Sequence, residues 1–338
     1  MHLPLKETAL VWSDAFLGHD TGHHPERVAR AEAIRAMVQS PSIAATRPEV
    51  SVQSVRAELL ERTHEPRLIA GLERFSAVGG GWIDGDTWCG PDSLETAALS
   101  AGAAVEATLA VLDGRATRAF ALGRPPGHHA TRDRSMGFCI YNNVAVAANA
   151  AREQGIERIA IIDWDVHHGN GTQDIFYDRR DVLYCSMHQS GIYPGGGWPH
   201  ELGNEKGEGF TLNVPIRSGH GDDSMLRAID EIFAPAIEAY GPELIMISAG
   251  FDAHADDPLA DLTATEFGFA QMADRICQLS ETFCENRVVA VLEGGYDVRA
   301  LARSTAAVIS VLDGAVPDPA SLPAVELPQE SGTGLIDE

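Results

Sequence analysis

The chain has 338 residues, 44% of them hydrophobic and 22% charged, which suits one large globular domain or two ordinary ones. A formal charge of −24 argues against a nucleic-acid partner, which needs a positive footprint, and it ranks cationic ligands first, although acidity for solubility alone is common. No stretch approaches the ~20 apolar residues of a membrane span, and the first residues lack a signal peptide's charged and apolar regions, so the expectation is a cytoplasmic protein with no membrane partner. The cysteines Cys89, Cys139, Cys185, Cys277 and Cys284 show no Cys-x-x-Cys spacing and read as reduced, buried small residues.

Residues 9–13 read as a first short strand. A polar loop with His19, Asp20, His23 and His24 follows; no Cys or spaced acid completes a metal site there, so a loop hydrogen-bonded by imidazoles is the reading. Pro25-Glu26-Arg27 opens a helix that runs to Gln39. Residues 56–75 are helical with a break at His64-Glu65-Pro66, and a glycine-rich loop with Asp84 and Asp86 spans 79–91. An alanine-rich helix covers 93–112. Strands are then predicted at 118–122, 159–162, 182–187, 210–215, 244–248 and 288–292, with helices at 143–154, 222–239, 263–284 and 301–312. From about Asp313 the composition turns to Pro, Ser and acid, which gives a single domain over 1–316 and a tail over 317–338. Strands alternating with helices mean a parallel sheet covered on both faces, and ligands of such sheets gather at the strands' carboxyl ends.

The chemistry lies at those ends. After the apolar run Ile159–Ile162 come Asp163, Asp165 and His167 at alternate positions, which an extended strand would aim at one point. Residues capping the next helix would explain one Asp and one His, but not three inward polar side chains on a buried strand, and carboxylates with imidazole suit a divalent metal, zinc above all. Asp252 follows the strand 244–248 in the same way. With Asp165 and His167 it makes three ligands and leaves positions open, the pattern of a catalytic zinc. Arg124-Pro-Pro-Gly-His128-His129 places two adjacent histidines in a rigid loop; they suit a general acid/base pair, with Asp163 and Asn170 as partners that set their tautomers. Tyr296, after Gly294-Gly295, suits an oxyanion donor, and Phe138 and Tyr193 suit the walls of a slender channel, with core packing the equal rival for each.

Together the segments Arg124–Asn143, Asp163–Gln173, Ser248–Pro258 and Glu293–Asp297 resemble the zinc-dependent histone deacetylase family, in its class II-like branch of bacterial histone deacetylase-like amidohydrolases and acetylpolyamine amidohydrolases. The resemblance implies the arginase/deacetylase fold, a three-layer α/β architecture with a mainly parallel eight-stranded sheet. It assigns Asp165, His167 and Asp252 to one Zn²⁺, His128 and His129 to acid/base work, and Tyr296 to the carbonyl. Gly137, Phe138, Tyr193 and Leu259 become channel residues, and Arg27 the arginine near the channel's inner end. A structural K⁺ is implied on Asp163, Asp165, His167, Ser186 and the backbone of Met187, with a second near Phe176, Arg179 and Val182. Asn170 where class I members carry Asp fits the class II-like pattern, and retention of Tyr296 implies full competence. Leu259 lacks the Glu of one polyamine-selective group.

The implied reaction is hydrolysis of an acetyl-lysine peptide or an acetylpolyamine. In this family a partner's loop can narrow the channel, so a homo-oligomer or the 79–91 loop is a candidate for shaping it. Three alternatives stand beside this reading: hydrolysis of another small amide, a binuclear-manganese ureohydrolase suggested by Asp252-Ala-His-Ala-Asp256, and a non-catalytic acyl-amine binder.

Overall fold

Short runs of Val, Ile, Leu and Ala become strands in the computed structural model, which describes residues 8–44, 47–325 and 327. The first seven residues, on which the leader expectation rests, and residues 328–338 of the expected tail lie outside that range. In chain order the strands are β1 (Ala9–Val11), β2 (Gly81–Trp82), β3 (Trp88–Cys89), β4 (Arg118–Ala121), β5 (Ile159–Asp163), β6 (Val182–Gln189), β7 (Thr211–Ile216), β8 (Leu244–Ala249) and β9 (Val288–Leu292). The helices are α1 (Val28–Gln39), α2 (Ala57–Thr63), α3 (Pro66–Ala77), α4 (Ser93–Leu112), α5 (Asn143–Glu153), α6 (Asn170–Phe176), α7 (Asp222–Ala228), α8 (Ala234–Tyr240), α9 (Glu266–Phe283) and α10 (Val298–Leu312).

Seven strands form one parallel sheet in the order β1-β4-β9-β8-β5-β6-β7. The eighth strand implied by the family resemblance is not found among the described residues; β2 and β3 pair only with each other, as a short antiparallel ribbon. The seven lie where the sequence marks strands; the five inner ones, β4, β9, β8, β5 and β6, are buried on both faces, while the edge strands β1 and β7 are only partly so. β5 shows this: Ala160 and Ile162 enter one core cluster, Ile159 and Ile161 the other. Helices α1, α7, α8, α9 and α10 pack among themselves on one side, and α2, α3, α4 and α5 on the other, which gives three layers. The five cysteines are free and buried.

Several expectations shift. α1 begins at Val28, with Arg27 as its N-cap, three residues later than Pro25. The predicted helix over 222–239 is divided by a π-helical turn, Ile229–Phe233, next to Pro235, whose missing N–H opens the ladder. α4 is long and apolar enough to cross a membrane, contrary to the composition reading. Its apolarity has another cause: 67% of that window is buried inside the protein, between the sheet and its neighbouring helices. The start of the expected tail folds back: Leu322, Val325 and Leu327 pack against the core, and Ser42 Oγ donates to the Ala324 carbonyl at 3.0 Å.

The strand order places the site. The chain runs from β5 outward to β6 and β7, then returns to the other edge of β5 as β8, with β9 beyond it. A crevice forms at such a reversal, at the strands' carboxyl ends. One helix contact can be tested. A Cβ on Gly102 of α4 would meet the Gln53 carbonyl oxygen at 1.8 Å. Gly102→Ala should therefore lower the unfolding midpoint in a thermal melt, despite the ~0.5–1 kcal/mol that alanine normally gains over glycine inside a helix.

Candidate active site

β5 ends at Asp163, and the chain turns immediately. Asp165 and His167 therefore converge from a turn, not by strand alternation, and Asp163 points elsewhere. Asp165 Oδ1 accepts the His167 N–H (2.9 Å), and its Oδ2 accepts the Gly294 N–H (2.8 Å) from the loop after β9. Asp252, in the turn after β8, accepts the Val166 N–H at 2.9 Å and lies 3.2 Å from His167 Nδ1. One ligand atom from each of Asp165, His167 and Asp252 lies within 4.8 Å of the others. Gly294 permits this, because a Cβ there would stand 2.2 Å from an Asp252 oxygen and 2.6 Å from an Asp165 oxygen.

The trio suits a divalent cation on chemical grounds. It offers two carboxylates and an imidazole, all buried or nearly so. Burial and the neighbouring Asp165 charge push the Asp252 carboxyl up to about 7, a penalty that a bound cation would remove.

The two histidines of the 124–129 loop differ in their partners. His128 Nδ1–H donates to Asp163 Oδ2 at 3.0 Å, and its Nε2 lies 3.7 Å from Asp165 Oδ1. Burial alone would make His128 less basic; the Asp165 and Asp163 carboxylates outweigh it and hold the ring well above its ordinary value. His129 Nδ1 meets Asn170 Oδ1 at 2.8 Å, and an amide oxygen only accepts, so Nδ1 carries the proton and Nε2 keeps a free lone pair. Burial, and then the neighbouring imidazoles of His128 and His167, lower its basicity. The rings of the pair are 4.0 Å apart, and His129 also meets Tyr193 edge-on at 5.1 Å.

Phe138 and Tyr296 face each other edge-on at 5.6 Å. Gly137 (φ 57°) and Phe138 (φ 69°) are both left-handed, and a Cβ on Gly137 would lie 2.5 Å from the His129 ring. Leu259 is half-buried; its N–H donates to Asp257 Oδ1, and Asp257 Oδ2 accepts the Tyr296 N–H at 2.6 Å. Ser186 stands opposite Asp163 across the β5–β6 pair, with its Oγ 2.9 Å from His188 Nδ1; Met187 follows it, fully buried. Arg179 stacks on Phe176 (4.7 Å) and pairs with Asp181.

A histone deacetylase domain matches residues 24–312. The chain belongs to the histone deacetylase family. It is 40% identical over 311 residues to a probable deacetylase of Archaeoglobus fulgidus, covering 91% of this chain and 86% of that protein. It is 44% identical over 267 residues to a histone deacetylase-like amidohydrolase of Pseudomonas aeruginosa, covering 78% and 70%. The crystal structure of the HDA15 HD domain superposes with a TM-score of 0.86 at 34% identity, covering 93% of this chain and 91% of that one. This membership makes the chain an enzyme of the deacetylase and amidohydrolase type, acting on acetylated substrates and implying a metal ion.

Within this deacetylase-family site, one residue assignment from the sequence is corrected. Arg30, not Arg27, is the arginine set against Tyr296. Arg27 is half-buried at the start of α1, whereas Arg30, one turn on, is fully buried, its guanidinium 5.0 Å from the Tyr296 ring centre. It donates to the carbonyls of Gly295 (2.6 Å) and Glu293 (2.5 Å). The ureohydrolase-like His254 turns away from the metal trio: its Nδ1 accepts the Asp256 N–H, and its Nε2 faces Glu266 at 3.4 Å. Two histidines of the 19–24 loop are hydrogen-bonded within the protein, as expected: His19 bonds Ser93 (2.7 Å), and His24 Nδ1 accepts the Glu26 N–H (3.1 Å), while His23 is exposed.

Sequence reasoning missed Glu293, Asp257, Tyr184 and His64. Glu293 Oε2 accepts the N–H groups of Gly127 and His128 (2.7 and 3.0 Å) and so fixes the histidine loop; the Glu-Gly-Gly-Tyr motif held the signal. Tyr184 donates to Asp163 Oδ2 at 2.9 Å. His64 Nδ1–H donates to the Thr131 carbonyl (2.8 Å) while its Nε2 accepts the Asn142 N–H (3.0 Å), pinning both ends of the segment that bears Phe138. No local pattern could reveal that, since its partners lie 67 and 78 residues away.

His64 works only as a neutral ring, and burial lowers its pKa to about 4 from the ordinary 6.5. Its contribution is complete above about pH 6.5 and is lost as the pH falls toward about 4. His64→Ala should cost ~2–4 kcal/mol in denaturant unfolding near pH 7, since two buried backbone groups lose partners, and it should weaken the dependence of stability on pH between 6.5 and 4.

Proposed function

We propose that the chain hydrolyses N-acetylated amines, acetyl-lysine or acetylpolyamine, with one Zn²⁺ on Asp165, His167 and Asp252. The observation that supports this best is the His129 tautomer: an Nε2 lone pair held by Asn170 beside the Asp165–His167–Asp252 cluster, next to Tyr193. When bound, zinc would lower the pKa of a water and polarise the amide carbonyl. The remaining steps belong to side chains on this chain. His129 Nε2 takes a proton from the attacking water, the Nδ1–H to Asn170 keeping the ring in register. His128 stays protonated between Asp163 and Asp165 and adds positive charge beside the developing oxyanion. Tyr296 donates its hydroxyl proton in a hydrogen bond to that oxyanion, the ring fixed by Phe138 and Arg30. His129 then returns its proton to the leaving amine, and acetate departs. Phe138 and Tyr193 line the path of the acyl-amine chain, with Leu259 and Gly137 completing the wall.

Asp163, Asp165, His167, Ser186 and the Met187 backbone form the proposed K⁺ site, supported by the register that sets Asp163 beside Ser186. A small-amide hydrolase using the same groups remains the rival reading, and substrate comparison separates the two. The acid/base and oxyanion groups argue against a mere binder, which would need none of them.

Tyr296→Phe should lower kcat ~10²–10³-fold on an acetyl-lysine peptide with little change in KM, the usual cost of one oxyanion donor. Asp252→Ala should reduce zinc from one per chain to near zero by elemental analysis; full activity in metal-stripped protein would refute the scheme. Asn170→Asp puts a carboxylate behind His129, favouring its protonated form. The acid limb of the kcat/KM profile should therefore move to higher pH.

A further inference from the structure

α3 carries Leu68, Leu72 and Phe75 along one face, yet of these only Leu72 is buried. Facing them is the β2–β3 ribbon, whose Trp82 is 53% exposed. Between helix and ribbon lies a surface cleft of about 430 Å³, lined by those residues with Gly71 and Ile83. An ion pair from Arg67 to Asp133 (3.0 Å) stands at its edge. An apolar cleft of this kind on a chain of charge −24 suits an apolar group presented by a cationic ligand.

The cleft lies beside Phe138, the wall assigned to the channel, separated from it by packed rings. Trp82 packs on His24 at 5.8 Å, His24 meets the channel wall Phe138 edge-on at 4.5 Å, and Phe138 meets Tyr296 at 5.6 Å. From channel wall to cleft there are only those two ring contacts, a span that about three residues of extended peptide cover at ~3.4 Å each.

We propose that this cleft holds a bulky apolar side chain of a peptide substrate, two to four residues from the acetyl-lysine that enters the channel. The proposal rests on the deacetylase reading above and deepens it: the substrate is a protein segment with a lysine and a nearby large apolar residue. An acetylpolyamine has no such group and leaves the cleft unused.

The test compares kcat/KM for four substrates on the zinc-loaded full chain: N-acetyl-lysine amide, a heptapeptide with central acetyl-lysine flanked by alanines, and the same peptide with Phe three positions before or after the lysine. One Phe placement should raise kcat/KM about tenfold over the alanine peptide, mostly through KM, as partial burial of an aromatic side chain predicts. Gly71→Leu should abolish that preference. A Cβ at Gly71 meets nothing within 4 Å, so the new side chain fills the cleft without moving backbone. Trp82→Ala should abolish it by removing the cleft's wall. Equal rates on all three peptides in the unaltered chain would overturn the proposal, as would a tenfold preference that survives Gly71→Leu. Light scattering that shows a dimer, turned monomeric by Gly71→Leu, would assign the cleft to a second copy and also overturn it. If neither N-acetyl-lysine amide nor any peptide is hydrolysed, the proposal is overturned; hydrolysis of acetylputrescine in the same assay would leave the deacetylase reading standing, and its failure too would overturn that reading as well.

Discussion

Five carboxylates, Asp163, Asp165, Asp252, Asp257 and Glu293, are buried at the carboxyl ends of β5, β8 and β9, and the site is organised around the cost of holding them there. Most of their compensation comes from backbone N–H groups of the turns that follow the strands. Val166, His167 and Gly294 donate to the metal-type carboxylates; Tyr296, Asp297 and Leu259 donate to Asp257; Gly127 and His128 donate to Glu293. A strand's N–H groups are committed to its ladder, so carboxylates in this number can be solvated only where the ladders stop. What the amides leave uncompensated is negative charge at one point, and that is what makes a cation fit there.

The same compensation orients the reactive groups. Asp163 takes the His128 Nδ1–H, Glu293 fixes the backbone of the histidine loop, and Asp257 fixes the backbone of Tyr296 and Leu259 together. Beneath lies a second buried network. Glu26 forms a two-point pair with Arg124 and also bonds Arg30, so the start of the histidine loop and the arginine against Tyr296 share one carboxylate. Burial alone would raise the Glu26 pKa, but Arg124 and His19, which lies 3.3 Å away, outweigh it and hold the carboxyl well below the carboxylate range.

Chemistry and selection are separated in space. In the proposed reaction the buried groups would act on an acyl amide whatever amine carries it, so they would not distinguish among acylated amines. On the proposal above, discrimination falls to the exposed surface where the β2–β3 ribbon and α3 meet solvent. A ribbon of two residues per strand has few ladder bonds of its own; its aromatic contacts, Trp82 on Trp88 and on His24, tie it to the channel wall.

The sequence alone determined the seven sheet strands, the helical layers and the pairing of Asp165 and His167 with Asp252. Those follow from apolar runs, doubly buried in the five inner strands of a parallel sheet, and from polar residues placed just past them. The His128/His129 loop and its partners Asp163 and Asn170 were likewise legible, because two imidazoles need two acceptors and few were near. Tertiary structure decided what depends on distance and direction. It replaced Arg27 by Arg30, since three residues along a helix move a side chain from the start of α1 into the interior beneath Tyr296. It turned Asp163 away from the metal trio, because β5 ends there and the alternation that sequence spacing assumes stops with it. It recruited His64, Asp257 and Glu293 through bonds to backbone atoms, which a side-chain pattern does not encode. And it buried α4, whose composition alone would equally suit a membrane.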